Sequence, residues 1–251
     1  MDSLKGKRVL ITRAAEDCDV WASQLKNVGA IPVILPCISC EFIDEPTTKE
    51  QLIETLLKMN WVVFTSRRGV EAFIRFVKKT ECGALLEETQ IAAVGPATAD
   101  AALKLLGRVD LTAEVGTAES LSQTLAFQVK ENASPEQLTS RLLIAVAENA
   151  SSVLENNLTA AGSECARLNV YRTVPVNACR TKQPLSELRA DKILLASPSA
   201  VTGLLNQIEL DTKVDIYTIG PSTSRAVRIA ELTVAAEATN PSLEGLMETM
   251  R

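Results

Sequence analysis

The side chains best placed to do chemistry are hydroxyls, glycines and arginines that follow short apolar runs. Thr12 and Arg13 follow Val9-Leu10-Ile11, and Thr65, Ser66, Arg67 and Arg68 follow Trp61-Val62-Val63-Phe64. Gly95 and Thr98 follow Ile91-Ala92-Ala93-Val94, and Glu148 and Asn149 follow the run from Leu142. Ser197 and Ser199 follow Ile193-Leu194-Leu195-Ala196, and Gly220, Ser222 and Thr223 follow Ile216-Tyr217-Thr218-Ile219. Backbone N–H groups, hydroxyls and guanidinium forks of this kind recognise anions. They are poorly equipped to act as general bases. Histidine is absent from the chain. That excludes a Ser-His-Asp triad and a His-ligated metal. Tyr171, one of only two tyrosines, is a weak proton donor at neutral pH and no ready base. It lies in Asn169-Val170-Tyr171-Arg172-Thr173, an extended segment, where a packed linker tyrosine accounts for it equally well.

Each of these residues has a plainer reading. A Ser or Thr after a strand is more often a helix cap than a ligand contact. Arg13 and Arg68 are favoured as ligand contacts by their place at the strand ends, whereas Arg67 reads as solvated. Trp61, Phe64 and Phe73 read as core. Cys37-Ile38-Ser39-Cys40 has redox or metal-ligand spacing, but it lacks a second pair and does not open a helix. The six cysteines therefore read as reduced thiols, several of them small core residues.

These residues need elements to hold them. Residues 8–12, 31–35, 61–66, 91–94, 141–146, 192–197 and 216–219 are short apolar runs, as parallel strands covered on both faces should be. Helices are expected over 17–28, 48–59, 119–129 and 152–161, and from Arg67 and Pro96 onward. Thr48 reads as a cap, and Gly29 and Gly162 read as helix terminators. Pro96 suits the first helical turn, and Gly95 is expected to turn the chain sharply. Residues 36–46 and 165–175 read as extended, and 132–136 as a polar loop.

The pattern occurs twice. Gly29 and Gly162, Ser66 and Ser197, and Gly95 and Gly220 correspond at separations of 133, 131 and 125 residues. Near-constant separations in one order indicate duplication. Short apolar strands alternating with helices give an α/β fold of two similar lobes, each a parallel sheet flanked by helices. On the repeat alone, the boundary falls near Ala133. Ligands of such sheets bind outside the carboxyl ends of the strands.

A 46% apolar composition is globular, and the net charge of −5, with acids and bases interspersed, offers no nucleic-acid footprint. Such a charge need not repel an anionic ligand, since exposed charges beyond about 8 Å are largely screened. Residues 1–8 are charged and lack an apolar core, so no signal peptide is expected. No apolar run reaches the roughly 18 residues of a membrane span. A cytoplasmic protein is expected. No Gly-x-Gly-x-x-Gly or Walker sequence is present, so a dinucleotide or P-loop reading lacks support.

The ordered set of Phe64-Thr65-Ser66 with Gly69-Val70, Ala93-Val94-Gly95-Pro96-Ala97-Thr98-Ala99, Val170-Tyr171-Arg172-Thr173, Ser197-Pro198-Ser199 and Ile219-Gly220-Pro221-Ser222-Thr223 resembles the uroporphyrinogen-III synthase family. The likeness runs in order to Asn240-Pro241-Ser242-Leu243-Glu244-Gly245-Leu246. It implies flavodoxin-like lobes that exchange parts: 1–37 with 175–251 in one, and 38–174 in the other. Residues 36–42 and 171–176 would be the two extended linker segments joining them, with the ligand in the cleft.

The resemblance also implies the chemistry. Hydroxymethylbilane, a linear tetrapyrrole, would close to uroporphyrinogen III with loss of water and inversion of the last ring through a spiro intermediate. The bilane can close uncatalysed to the wrong isomer, so the task is chiefly one of holding geometry. Tyr171 would donate the proton to the departing hydroxyl. Ser66, Thr98, Ser197, Ser222 and Thr223 carry over as substrate contacts, beside Arg13 and Arg68 at the strand ends. Arg68 stands where many relatives have Asn, and Val146 where many have Arg. A cofactor-free, metal-free monomer is expected, with no nucleic-acid or membrane partner. The rival expectation is a two-lobed protein that closes on a small anion without chemistry; a nucleotide-binding regulator ranks last.

Overall fold

The structure is a computed structural model that describes residues 4–131 and 139–250, the side chains of Lys130 and Glu131 excepted. The loop expected over 132–136 and the boundary near Ala133 lie outside the described residues. Contacts divide the chain into two compact units, Met1–Cys40 with Thr173–Arg251, and Glu41–Arg172.

In chain order the elements begin with β1 (Arg8–Ile11), α1 (Ala15–Asn27), β2 (Ile31–Ile34) and β3 (Ile38–Phe42). Next come α2 (Lys49–Leu56), β4 (Trp61–Phe64), α3 (Arg67–Thr80), β5 (Gln90–Ala93), α4 (Pro96–Leu106), β6 (Leu111–Thr112) and α5 (Ala118–Glu131). Then follow β7 (Arg141–Ala147), α6 (Val153–Ala160), β8 (Glu164–Pro175), β9 (Gln183–Pro184), α7 (Leu185–Leu188) and β10 (Lys192–Leu195). The chain closes with α8 (Pro198–Gln207), β11 (Ile208–Glu209), β12 (Asp215–Thr218), α9 (Pro221–Ile229), β13 (Val234–Glu237) and α10 (Leu243–Thr249).

The unit containing Glu41–Arg172 is built on a sheet ordered β3-β8-β7-β4-β5-β6, in which β8, β7, β4, β5 and β6 run parallel. Alternation along Trp61-Val62-Val63-Phe64 sorts the core into two layers. Val62 and Phe64 pack with Val70, Phe73 and Val77 of α3. Trp61 and Val63 pack with Leu121 and Leu125 of α5 and Leu154 and Leu158 of α6. The rings of Phe64 and Phe73 meet edge-on at 5.4 Å. Glycine is required at position 69, because a Cβ there would lie 2.9 Å from the Ala145 carbonyl oxygen.

The other unit carries a five-stranded parallel sheet ordered β13-β12-β10-β1-β2. Val9 and Ile11 face Trp21 and Leu25 of α1, together with Leu246 of α10. Leu10, Ile193 and Ile216 face Val201 and Leu204 of α8 and Val227 of α9.

Local signals account for much of this. Thr48 forms a capping box with Gln51 at the start of α2. Gly29 and Gly162 take positive φ of 78° and 97° after α1 and α6. Gly95 departs from the expected sharp turn: its φ is 177°, extended backbone. Its role is close approach, since a Cβ there would lie 3.3 Å from the Gly116 Cα. The expected linker segments are strands, β3 and the end of β8, which are neighbours in one sheet. The Ile43 N–H donates to the Val170 carbonyl and the Val176 N–H to the Cys37 carbonyl. Among the described residues no helix is long and apolar enough to cross a membrane.

Candidate functional site

Strand register places several expected residues at one level. Phe64 pairs with Ala93 of β5 and with Ala145 of β7, and Tyr171 of β8 pairs with Ala147. Two residues beyond Phe64, Ala93 and Ala145 stand Ser66, Gly95 and Ala147. The carboxyl edge of this sheet therefore lines up Gly95, Ser66, Ala147 and Tyr171. The hydroxyls of Ser66 and Tyr171 are 3.0 Å apart.

Ser66 has two partners. It caps α3, accepting from the Gly69 N–H at 3.0 Å, and it shares a hydrogen bond with Tyr171. The cap reading is realised, and the same oxygen also meets the phenol of Tyr171. Tyr171 is half-buried, packed against the core layer that contains Phe64 and Phe73. Its carbonyl accepts from the Glu148 N–H at 2.8 Å. Thr98 is buried in the first turn of α4, its N–H bonded to the Gly95 carbonyl at 3.1 Å. Arg68, half-buried in the first turn of α3, forms a 3.6 Å ion pair with Glu71. Arg67 is exposed.

The carboxyl edge of the five-stranded sheet holds the remaining expected residues. Ser197 caps α8, accepting from the Ala200 N–H at 3.1 Å. Ser222 is exposed and Thr223 buried in the first turn of α9, after Gly220. Arg13 follows β1; its guanidinium pairs with Asp17 at 3.1 Å and lies 5.0 Å from the centre of the Trp21 ring. Its Nε is buried with no hydrogen-bond acceptor among the described residues. Thr12 is fully buried and donates to the Leu194 carbonyl at 2.6 Å, so it holds β1 to β10.

Several polar contacts lay beyond sequence reasoning. In α9 the Ser224 hydroxyl donates to the Glu237 carboxylate and lies 2.6 Å from the Thr218 hydroxyl. Ser224 has one proton, so Thr218 must donate to it. Arg167 bonds Asn169, Glu155 and the carbonyls of Ala147 and Ala150. No local pattern marks either network. The cysteine pair gains no chemistry here: Cys37 and Cys40 are free thiols, and burial pushes the Cys37 thiol up to about 12. A thiol so held is not a nucleophile at neutral pH. Two cavities, of about 610 and 780 Å³, open at the opposite, amino edges of the two sheets, lined by residues such as Trp61 and Gln90 or Lys192 and Asp215. The hydroxyl-rich edges, where open α/β sheets bind ligands, are the stronger candidates.

Each of the two α/β units presents hydroxyls, helix N-termini and an arginine at the carboxyl ends of its parallel strands. The family model described as HEM4, uroporphyrinogen-III synthase HemD, matches residues 19–248. The chain belongs to this family, whose members act in tetrapyrrole biosynthesis. The porphyrin biosynthesis protein HemD of Ruminiclostridium josui is 28% identical over 232 residues, 90% of this chain. The chain spans only 44% of that protein's length. The uroporphyrinogen-III synthase of Chlorobaculum parvum is 25% identical over 239 residues, 88% of each chain. Among solved structures, the Helicobacter pylori uroporphyrinogen-III synthetase shares the fold with a TM-score of 0.61, 15% identity and 97% of each chain covered. The Thermus thermophilus uroporphyrinogen III synthase, as a triple mutant, gives a TM-score of 0.53 at 18% identity, covering 97% of this chain and 96% of that one.

Proposed function

We propose that this chain cyclises hydroxymethylbilane to uroporphyrinogen III, with loss of water and inversion of the last pyrrole ring. The observation that carries the reading is the 3.0 Å contact between Ser66 and Tyr171 at the carboxyl edge of a parallel sheet. A phenol beside a hydroxyl partner can donate a proton in a site that holds no histidine. Tyr171 protonates the departing hydroxyl as a pyrrole nitrogen expels it, giving water, an electrophilic azafulvenium cation and the phenolate. The substituted carbon of the last ring attacks this centre, and the spiro intermediate reopens and recloses with that ring inverted. The proton lost when the macrocycle regains its pyrroles returns to the phenolate.

Geometry matters more than acid strength, because the bilane closes by itself to the wrong isomer. Correct orientation can contribute several kcal/mol. In this reading Arg68 and Thr98, at the carboxyl edge that also holds Ser66 and Tyr171, meet carboxylates of the substrate, and Arg13, Ser197, Ser222 and Thr223 are proposed as further substrate contacts. The pairs Arg13–Asp17 and Arg68–Glu71 are partly exposed. Such pairs are worth about 0–1 kcal/mol, so a substrate carboxylate can take the place of Asp17 on Arg13 or of Glu71 on Arg68. We extend the reading to a cytoplasmic monomer that acts on a small molecule, with neither nucleic acid nor membrane as partner; the acidic balance of the chain supports it.

The test is a coupled assay supplying freshly made hydroxymethylbilane, with the product isomers separated after oxidation. Type III product that depends on this chain supports the reading. Folded protein that leaves only the spontaneous type I isomer rejects it and favours a small-anion binder.

A further inference from the structure

Tyr171 points toward α3 because β8 carries one residue more than β7. Pairing runs Ala145 with Leu168 and Val146 with Asn169, then passes from Ala147 to Tyr171, leaving Val170 as the extra residue. Side chains of an unbroken strand alternate between faces. Without the bulge, Tyr171 would share a face with Cys165, Arg167 and Asn169, and Cys165 packs on the α5 and α6 side. The extra residue reverses the parity, as bulges beside functional sites do. Tyr171 instead packs with Leu168 and Val170 on the α3 side, where Ser66 stands.

Arg167 fastens this bulge from the opposite face. Its Nε donates to the Asn169 amide oxygen at 2.9 Å. One terminal nitrogen donates to the Glu155 carboxylate. The other donates to the carbonyls of Ala147 and Ala150, each at 2.9 Å. Asn169 immediately precedes the extra residue, and Ala147 is the β7 partner of Tyr171. One guanidinium thus ties both strands at the bulge to the turn after β7. That turn also carries Glu148, whose N–H holds the Tyr171 carbonyl. The ion pair with Glu155 is largely buried, with side-chain exposures of 25% and 14%. A planar fork can serve all four acceptors at once; an ammonium can keep the carboxylate but not the rest.

We propose that Arg167 is the positioning residue for Tyr171: by fixing the bulge it holds the phenol at Ser66 and so aligns proton transfer. The proposal rests on the reading of Tyr171 as proton donor. Its test pairs steady-state kinetics with NMR of the full chain carrying ¹³Cζ-tyrosine. Only two resonances arise, because the chain has two tyrosines, and Tyr171→Phe assigns them. With Arg167 in place, Ser66→Ala shifts the Tyr171 line. In Arg167→Lys the line is expected to move to a position that Ser66→Ala no longer changes. The kcat for type III product is expected to fall by about a hundredfold, with KM unchanged. Asn169→Ala removes one strut and is expected to do the same to a smaller extent; it replaces Arg167→Lys if that variant fails to fold. A folded variant in which Ser66→Ala still shifts the Tyr171 line as before overturns the proposal. If Tyr171→Phe turns over at the full rate, the proton-donor reading fails by itself, and the NMR arm still decides what Arg167 positions.

Discussion

The hydroxyls of Ser66 and Tyr171 share a hydrogen bond of 3.0 Å across 105 residues of chain. Ser66 also accepts from the Gly69 N–H, which leaves its own proton free to point at the phenolic oxygen. In that orientation Ser66 stabilises the phenolate left after proton transfer. Loss of the acid in Tyr171→Phe should lower kcat by about 10²–10⁴-fold. Ser66→Ala should lower kcat by about tenfold through one lost hydrogen bond. It should also cost about 1 kcal/mol of stability, because the same oxygen caps α3. Type III product formation and urea unfolding, measured on both variants, separate the two effects. A Tyr171→Phe variant with full activity would remove the phenol from the mechanism.

Gly203 on α8 packs against the chain at Cys37. A Cβ built on it would sit 1.7 Å from the Cys37 carbonyl oxygen and 2.7 Å from its carbon. Both obstacles are backbone, so neither can swing aside. Gly203→Ala should destabilise by about 3 kcal/mol or more, at the upper end of overpacking costs. Urea unfolding checks this. Gly83→Ala is the control: nothing lies within 4 Å of its Cβ position and its backbone takes no strained conformation.

How far the sequence can be read follows the range of the physics involved. Trp61-Val62-Val63-Phe64 is a strand because four apolar β-formers in a row can be covered on both faces, and all four are buried. Thr48, Gly29 and Gly162 act within one helical turn of themselves, so their roles are visible locally. Ser66 and Ser197 were legible as strand-end hydroxyls and as caps, and each is a cap. Meeting Tyr171 is another matter, since it depends on which strands become neighbours and on one extra residue in β8. The adjacent apolar pair Val170-Tyr171 breaks the alternation from Leu168 and was the one available sign of the bulge. Arg167 left no sign, because two of its four acceptors are backbone carbonyls, which every residue possesses, and Glu155 is brought near only by the fold. Gly95 was misread for a similar reason: the need for a glycine comes from Gly116, which only the fold brings near.

Cys37 gives the chain an alkaline weakness. Burial raises its thiol from the ordinary 9.0 to about 12. The folded state therefore keeps a proton that the unfolded chain releases above about pH 9. Stability is flat with respect to this group below pH 9 and falls as pH rises from about 9 toward about 12. The limiting slope is about 1.4 kcal/mol per pH unit. Urea midpoints at pH 8 and pH 10 should differ more for the unmodified chain than for Cys37→Ala. Thiol alkylation of the folded protein at pH 8 should label the exposed Cys179 and spare Cys37.

Ser224 joins the end of β12 to β13. Its hydroxyl donates to Glu237 and lies 2.6 Å from the Thr218 hydroxyl, which donates in return. Thr218 and Ser224 are both fully buried. Ser224→Ala therefore leaves the Thr218 proton and the Glu237 carboxylate without this partner inside the fold. An orphaned buried group costs about 1–3 kcal/mol, more for a charged one. Glu237→Gln keeps an oxygen that can accept from Ser224 and should cost less. The repeat equivalent of Ser224 is Ala99, so α4 holds its first turn without such a relay. Thermal unfolding of the two variants should rank Ser224→Ala below Glu237→Gln. If both melt with the unmodified chain, the relay contributes nothing to holding α9 against its sheet. If only Glu237→Gln is destabilised, the carboxylate has partners more important than Ser224.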